Sequence, residues 1–161
     1  MDRDRLIDEL EDLYRRSYRR FLRVAIAVVG DESVGHDVVQ EAFARAIRLG
    51  ASYRGDGTVE AWLWRVLVNA ARAARQPRNE VVEELSTAFA DVGGVSTDDE
   101  RVRAWVAALP ERQRLAVFLR YYADLDYETI ARVLRIRRGT VSATLNHAHA
   151  AIRRLVEEDG S

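Results

Sequence analysis

The chain has no cysteine, no lysine, only two prolines, and no apolar run of membrane-spanning length. Without cysteine, neither a disulfide framework nor a thiolate-held metal can form. The apolar stretches fall short of the roughly 20 residues a transmembrane helix needs. The amino terminus opens Asp2, Arg3, Asp4, Arg5 with no signal-like apolar core behind it. A soluble, cytoplasmic protein without membrane insertion is expected. All 25 basic residues are arginine, a bias that GC-rich coding produces without selection for chemistry. No strand pattern is present, so the fold class is expected to be all-α.

The 25 Arg and 26 acids nearly cancel, but they separate along the chain. Residues 1–75 carry 13 Arg and 12 acids (+1), 76–100 carry 1 Arg and 7 acids (−6), and 101–161 carry 11 Arg and 7 acids (+4). Between Thr129 and Val156 lie six Arg and no acid. That run is either a nucleic-acid footprint or a solvated helix face.

Apolar residues at 6, 10, 13, 17/18, 21, 25 and 28/29 follow one helical face that stops at Gly30. A second helix uses Val34, Val38, Ala42, Ala46 and Ile47 and ends at Gly50. The Arg54-Gly55-Asp56-Gly57 turn is closed by Thr58 as helix cap, and a third helix runs from about Val59 to Arg75. Residues 77–98, with Pro77 and Gly93-Gly94, read as a flexible acidic linker with at most a helical turn at Val81 to Leu85. Asp98 or Asp99 is expected to cap the next helix. Pro110 suits the start of a helix bearing Leu115, Phe118, Leu119 and Tyr122, and Asp126 caps a short helix reaching Leu134. A last helix spans about Arg138 to Val156. The expected organisation is two small helical domains, 1–76 and 99–161, joined by the linker.

Leu125 to Leu145 is the most specific local feature. A helix with Ile130, small Ala131 and Leu134, a short turn, and a helix anchored by Val141 and Leu145 make a helix-turn-helix pattern. A plain helical hairpin is the alternative, and the coincident Arg run favours the DNA-reading version.

These residues resemble RNA polymerase sigma factors of the extracytoplasmic-function type. The C-terminal likeness lies in Leu109-Pro110-Glu111-Arg112-Gln113-Arg114, Leu119-Arg120-Tyr121-Tyr122, Leu125 to Ala131 and Gly139-Thr140-Val141. In the N-terminal half, Asp37 to Phe43 is similar to the family's core-polymerase-binding helix. Tyr53 to Gly57 with Ala61 to Arg65 is similar to its -10-element segment. The resemblance implies promoter DNA and core polymerase as partners, with Asp37, Gln40, Glu41 and Ala44 docking on the largest subunit's clamp helices and the C-terminal domain on the flap of the second-largest subunit. It also makes an anti-sigma factor a candidate partner. For the linker it implies a path through the polymerase cleft, where negative charge could imitate nucleic acid. A solubilising tether is the alternative.

At 100° per residue the third helix places Arg65, Asn69, Arg72 and Gln76 on one polar stripe bordered by Trp62. Beside the loop of Tyr53, Arg54, Asp56 and Thr58, such a stripe offers charge for phosphates and an aromatic surface for an unstacked base. Core packing is the competing role for Trp62 or Trp64. For the -35 element, Arg137 and Arg138 are expected on phosphates, with Thr140, Ser142, Ala143, Asn146 and His147 nearest base edges.

Several positions depart from the family pattern. Arg135 stands at the turn glycine, Arg137 at the serine cap, and Ser142, Thr144, His147 and His149 where Lys or Arg is usual in the recognition helix. Glu60 and Val68 replace Arg, and Ala73 replaces Asp. These changes point to altered or weakened -35 reading.

His147 and His149 diverge by about 200° on a helix and cannot share one ion. With no nucleophile-base pair and no nucleotide-binding glycine motif, neither an enzyme nor a metal or cofactor is expected. Two other readings stay open: a stand-alone helix-turn-helix regulator, and a sigma-like interaction module that has lost -35 reading.

Overall fold

The computed structural model describes residues 1–75 and 97–161. Gln76, the Val81 to Leu85 turn and nearly all of the acidic linker lie outside the described residues. Among the described residues there are seven α-helices, one 3-10 turn and no strand.

Helix α1 (Arg3–Val29) buries Leu6, Leu10, Leu13, Ser17, Phe21, Val24 and Val28. It ends where Gly30 takes φ +75° and donates its N–H to the Ile26 carbonyl at 2.8 Å, a left-handed cap that costs glycine nothing. Helix α2 (Glu32–Arg48) starts at Asp31, whose carboxylate accepts from the Val34 N–H at 2.8 Å. Gly35 lets α2 approach α1 closely, since a Cβ there would lie 2.6 Å from Ile26 Cγ1. Ile47, expected on the apolar face, is instead 42% exposed. Ala46 takes the inward direction, and the next residue sits about 100° round the helix.

Helix α3 (Val59–Ala74) follows a 3-10 turn at Gly50–Ser52 and the glycine loop. Thr58 caps it by accepting from the Ala61 N–H at 3.1 Å. Its buried face includes Leu63, Trp64, Leu67, Val68 and Ala71. The Trp64 ring lies 4.3 Å from that of Phe21 and closes the three-helix core. Val68, at a position where the family often has Arg, is wholly buried, so a charge there would have to be desolvated.

The C-terminal half comprises α4 (Thr97–Ala107), α5 (Glu111–Tyr121), α6 (Tyr127–Leu134) and α7 (Arg138–Asp159). Helix α4 already includes Thr97, so Asp98 and Asp99 stand in its first turn rather than before it. Pro110 occupies the cap position of α5, one residue ahead of the helix proper. Leu115, Phe118, Leu119, Ile130, Leu134, Val141 and Leu145 form the core of this half.

The two halves dock. Helix α1 meets α5, α3 meets α6, and the buried apolar cluster is continuous across the boundary. Arg20 donates to the carbonyl of Tyr122 at 3.1 Å and to that of Ala123, and Arg23 lies over the Tyr122 ring at 5.6 Å.

Candidate nucleic-acid interface

The loop before α3 is held by its own chemistry. Gly55 and Gly57 adopt φ of +78° and +83°, and the Tyr53 hydroxyl donates to the Gly57 carbonyl at 2.7 Å. The Tyr53 ring lies 5.4 Å from Trp62. Together they border a cavity of about 780 Å³, also lined by Arg54, Asp56, Arg65 and, from α6, Arg132. Thr58 is exposed at the cap. The site therefore combines aromatic surface with cations. Arg132 was not among the expected residues; it arrives from the other half, and no local pattern relates it to the loop.

The two tryptophans divide their roles. Trp64 is core, whereas Trp62 is half-buried at the cavity wall. Along α3, Arg65 and Arg72 are exposed and Asn69 half-buried. Burial, and then the charges of Arg112, Arg75 and Arg135, pull the Arg72 guanidinium below its ordinary pKa. Arg72 also lies 3.8 Å from the Glu111 carboxylate.

On α2, Asp37, Gln40 and Glu41 are exposed and Ala44 is half-buried. Gln40 donates to the Tyr14 hydroxyl at 2.8 Å, while Glu41 pairs with Arg45 at 3.3 Å and Arg48 at 3.0 Å. Exposed Ile47 and Leu49 at the end of the helix add apolar surface that the polar spacing did not indicate.

The α6–α7 unit has helix-turn-helix geometry. Asp126 accepts from the Thr129 N–H at 2.7 Å. The Thr129 hydrogen bonds, assisted by Arg132 and Arg138, hold its carboxyl below the usual range. Arg135 takes the turn in left-handed geometry, φ +55° and ψ +46°, where the family has glycine. Arg137 precedes α7 and makes no side-chain cap. Val141, Leu145 and Ala148 are buried. Thr144 is buried too, its hydroxyl donating to the Thr140 carbonyl at 2.7 Å, so it does not belong to the outward face. Arg137, Arg138, Ala143, Asn146 and His147 are exposed, and Thr140 and Ser142 half-buried. His149 is engaged elsewhere, its Nε2 lying 2.9 Å from the Tyr121 hydroxyl.

Two family descriptions match this chain: Sigma-70 region 2 over residues 13–79, and Sigma-70, region 4 over residues 99–152. It is similar to the RNA polymerase sigma-H factor of Pseudomonas aeruginosa, 30% identical over 151 residues, covering 83% of this chain and 78% of that protein. The chain belongs to the RNA polymerase sigma factors, and to their extracytoplasmic-function type. The ECF RNA polymerase sigma-E factor of Escherichia coli K12 is 34% identical over 134 residues, covering 72% of this chain and 70% of that protein.

The fold of this sigma factor is shared with two solved structures. One is the sigma factor RpoE of Bartonella quintana in complex with the anti-sigma factor NepR (TM-score 0.71, 21% identity, 93% of this chain and 97% of that one). The other is CnrH in complex with the cytosolic domain of CnrY (TM-score 0.72, 22% identity, 98% and 99%). Region 2 spans the α2 face, the loop cavity and the α3 stripe, and region 4 spans the helix-turn-helix. A stand-alone regulator would need only the second, so that reading is not favoured. Among the described residues no helix is long and apolar enough to cross a membrane.

Proposed function

We propose that this sigma factor brings core polymerase to promoters through three surfaces. Asp37, Gln40, Glu41 and Ala44 on α2 dock on the clamp helices of the largest subunit. The C-terminal domain meets the flap of the second-largest subunit. Tyr53, Arg54, Asp56, Thr58, Trp62, Arg65, Asn69 and Arg72 receive the opened -10 strand. At the -35 element, Arg137 and Arg138 hold phosphates while Thr140, Ser142, Ala143, Asn146 and His147 face base edges. The working units are residues 1–76 and 99–161, with 77–98 between them. The chain acts in the cytoplasm and leaves catalysis to the polymerase.

The observation that carries this reading is the loop cavity, where a Tyr53–Trp62 wall stands beside Arg54 and Arg65. Aromatic faces stack unpaired bases and arginines track the backbone, which is how single strands are held without strict sequence readout. One solved protein that shares the fold was captured with an anti-sigma factor, and an inhibitor of that kind is a candidate partner here. Run-off transcription with core polymerase on a genomic promoter library is the test. Specific transcripts sharing two spaced elements are expected; polymerase binding without any directed transcript would leave only an interaction module.

A further inference from the structure

Helix α7 carries its cationic side chains at its two ends and lacks them in the middle. Ser142, Thr144, His147 and His149 occupy positions where Lys or Arg is usual, while Arg137 and Arg138 stand at its start and Arg153 and Arg154 near its close. The second pair lies just past residues 99–152, the stretch matched by the region 4 description. At 100° per residue, Ala143, Asn146, His147, Ala150, Arg153 and Arg154 fall within about 120° of one another, and all six are exposed. Arg153 and Arg154 therefore continue the face that is turned to base edges.

Two ordinary uses of a helical arginine do not account for this pair. The first is an ion pair one turn away. Among the described residues, the arginines that make one are Arg15 with Glu11, Arg16 with Asp12, Arg45 with Glu41 and Arg132 with Glu128, and in each the acid comes first. That is the order the helix dipole favours. Glu157 and Glu158 follow Arg153 and Arg154 in the reverse order, and no ion pair joins them. The second use is compensation of the dipole, which acts within the last turn. The last turn of α7 holds Glu157, Glu158 and Asp159 and no base. Among the described residues, both guanidinium groups keep their donors free.

From Arg138 to Arg154 the helix axis advances about 24 Å, about twice the roughly 12 Å width of a major groove. A helix that enters the groove end-on meets phosphates with its first turn only. Both ends meet them when the helix lies along the groove, and small Ala143 and Ala150 let its backbone settle close to the base edges.

We propose that Arg153 and Arg154 bind DNA backbone phosphates at the far edge of the -35 element, so that α7 lies along the major groove gripped at both ends. This rests on the -35 reading above and adds the source of its affinity: the ends hold, and the uncharged middle reads. Guanidinium-to-phosphate bonds are charge-assisted and fix register without reading sequence. The carboxyl end of a homeodomain recognition helix meets the backbone in a comparable way.

The test uses the full chain. Fluorescence anisotropy on a mixed-sequence duplex at low salt reads the phosphate contacts without polymerase, and holoenzyme on a promoter recovered by run-off transcription reads them at a true -35 element. Replacing both residues (Arg153→Ala with Arg154→Ala) is expected to reduce the salt slope by about 2 and to weaken binding about threefold to tenfold. The loss should be equal for intact and mutated -35 sequences. Arg153→Lys with Arg154→Lys should restore the slope, and Arg101→Ala, an exposed arginine on α4, should leave it unchanged. Circular dichroism melting verifies the fold of each variant. The clamp is overturned if the double alanine variant keeps the wild-type slope, if Arg101→Ala lowers the slope as much per charge, or if the loss depends on the -35 sequence. A wild type that directs no transcript would instead sink the initiation reading, and the slopes on mixed-sequence duplex would still decide the clamp.

Discussion

Arg114 donates from Nε to the carbonyl of Ala27 at 3.1 Å, tying together residues 87 positions apart. Its Nη1 also reaches the carbonyls of Ala107 at 3.4 Å and Leu109 at 3.3 Å. Ala27 and Ala107 lie in the last turns of α1 and α4, where carbonyls lack intrahelical partners and the dipole is negative. One buried guanidinium thus caps two helices from different halves. Burial, then the charge of Arg75, lowers its pKa. Arg114→Met should cost about 2 kcal/mol, since it orphans three buried acceptors. Arg114→Lys should recover only part of that, because an ammonium lacks the planar fork. Denaturant unfolding of the full chain checks both, and equal stability of all three proteins would refute the capping role.

The neighbouring tryptophans should respond differently. Trp64→Ala removes a fully buried side chain against Phe21 and is expected to cost about 3–5 kcal/mol, enough to unfold a marginal domain. Trp62→Ala should leave the melting temperature nearly unchanged. With core polymerase it should lower promoter opening about tenfold, the value of one lost base stack. Permanganate reactivity of -10 thymines provides the measurement.

The helix-turn-helix trades stability for charge. Arg135 at φ +55° carries a conformational cost glycine avoids, so Arg135→Gly should stabilise the chain by about 0.5–1 kcal/mol. Arg137→Ser supplies the cap that α7 lacks and should add about 1 kcal/mol. If Arg137 holds a phosphate, the same change should weaken promoter binding and reduce its salt slope by about 1. Thermal melts and salt titrations on duplex -35 DNA separate the two effects.

Acid should weaken the C-terminal half through Asp126. Its folded-state pKa is depressed by the Thr129 hydrogen bonds. The stabilisation is therefore present above the unfolded value of about 3.9 and is lost as pH falls through the lower folded value. Asp126→Ala should cost about 1 kcal/mol at neutral pH and flatten the acid limb of a stability-against-pH curve. An unchanged limb would assign the acid response to other carboxylates.

Much of the local structure was legible. Gly30, Thr58 and Asp126 mark helix ends through chemistry that acts within four residues, and Val141 and Leu145 face inward as their spacing requires. Where packing outvoted pattern, the reading missed. Ile47 turns outward because Ala46 takes the core direction, and α4 already includes Thr97, ahead of the expected acidic cap. The loop residues and α3 stripe were identifiable by their proximity in sequence. Arg132 was not, since its place at the cavity depends on how α6 lands on α3.

The chain's own periodicity, caps and motif order determined that it is all-helical, carries two sigma regions and ends in a helix-turn-helix. These follow from interactions spanning a turn or two of backbone, which residue spacing encodes directly. The docking of the halves belongs to the tertiary structure alone, as do Arg114 bridging two helix ends, Glu111 facing Arg72 and Arg75, and the split between a core and a cavity tryptophan. Such pairings join residues far apart in the chain, and only the burial of apolar surface across the folded molecule selects which distant charges and carbonyls come within reach.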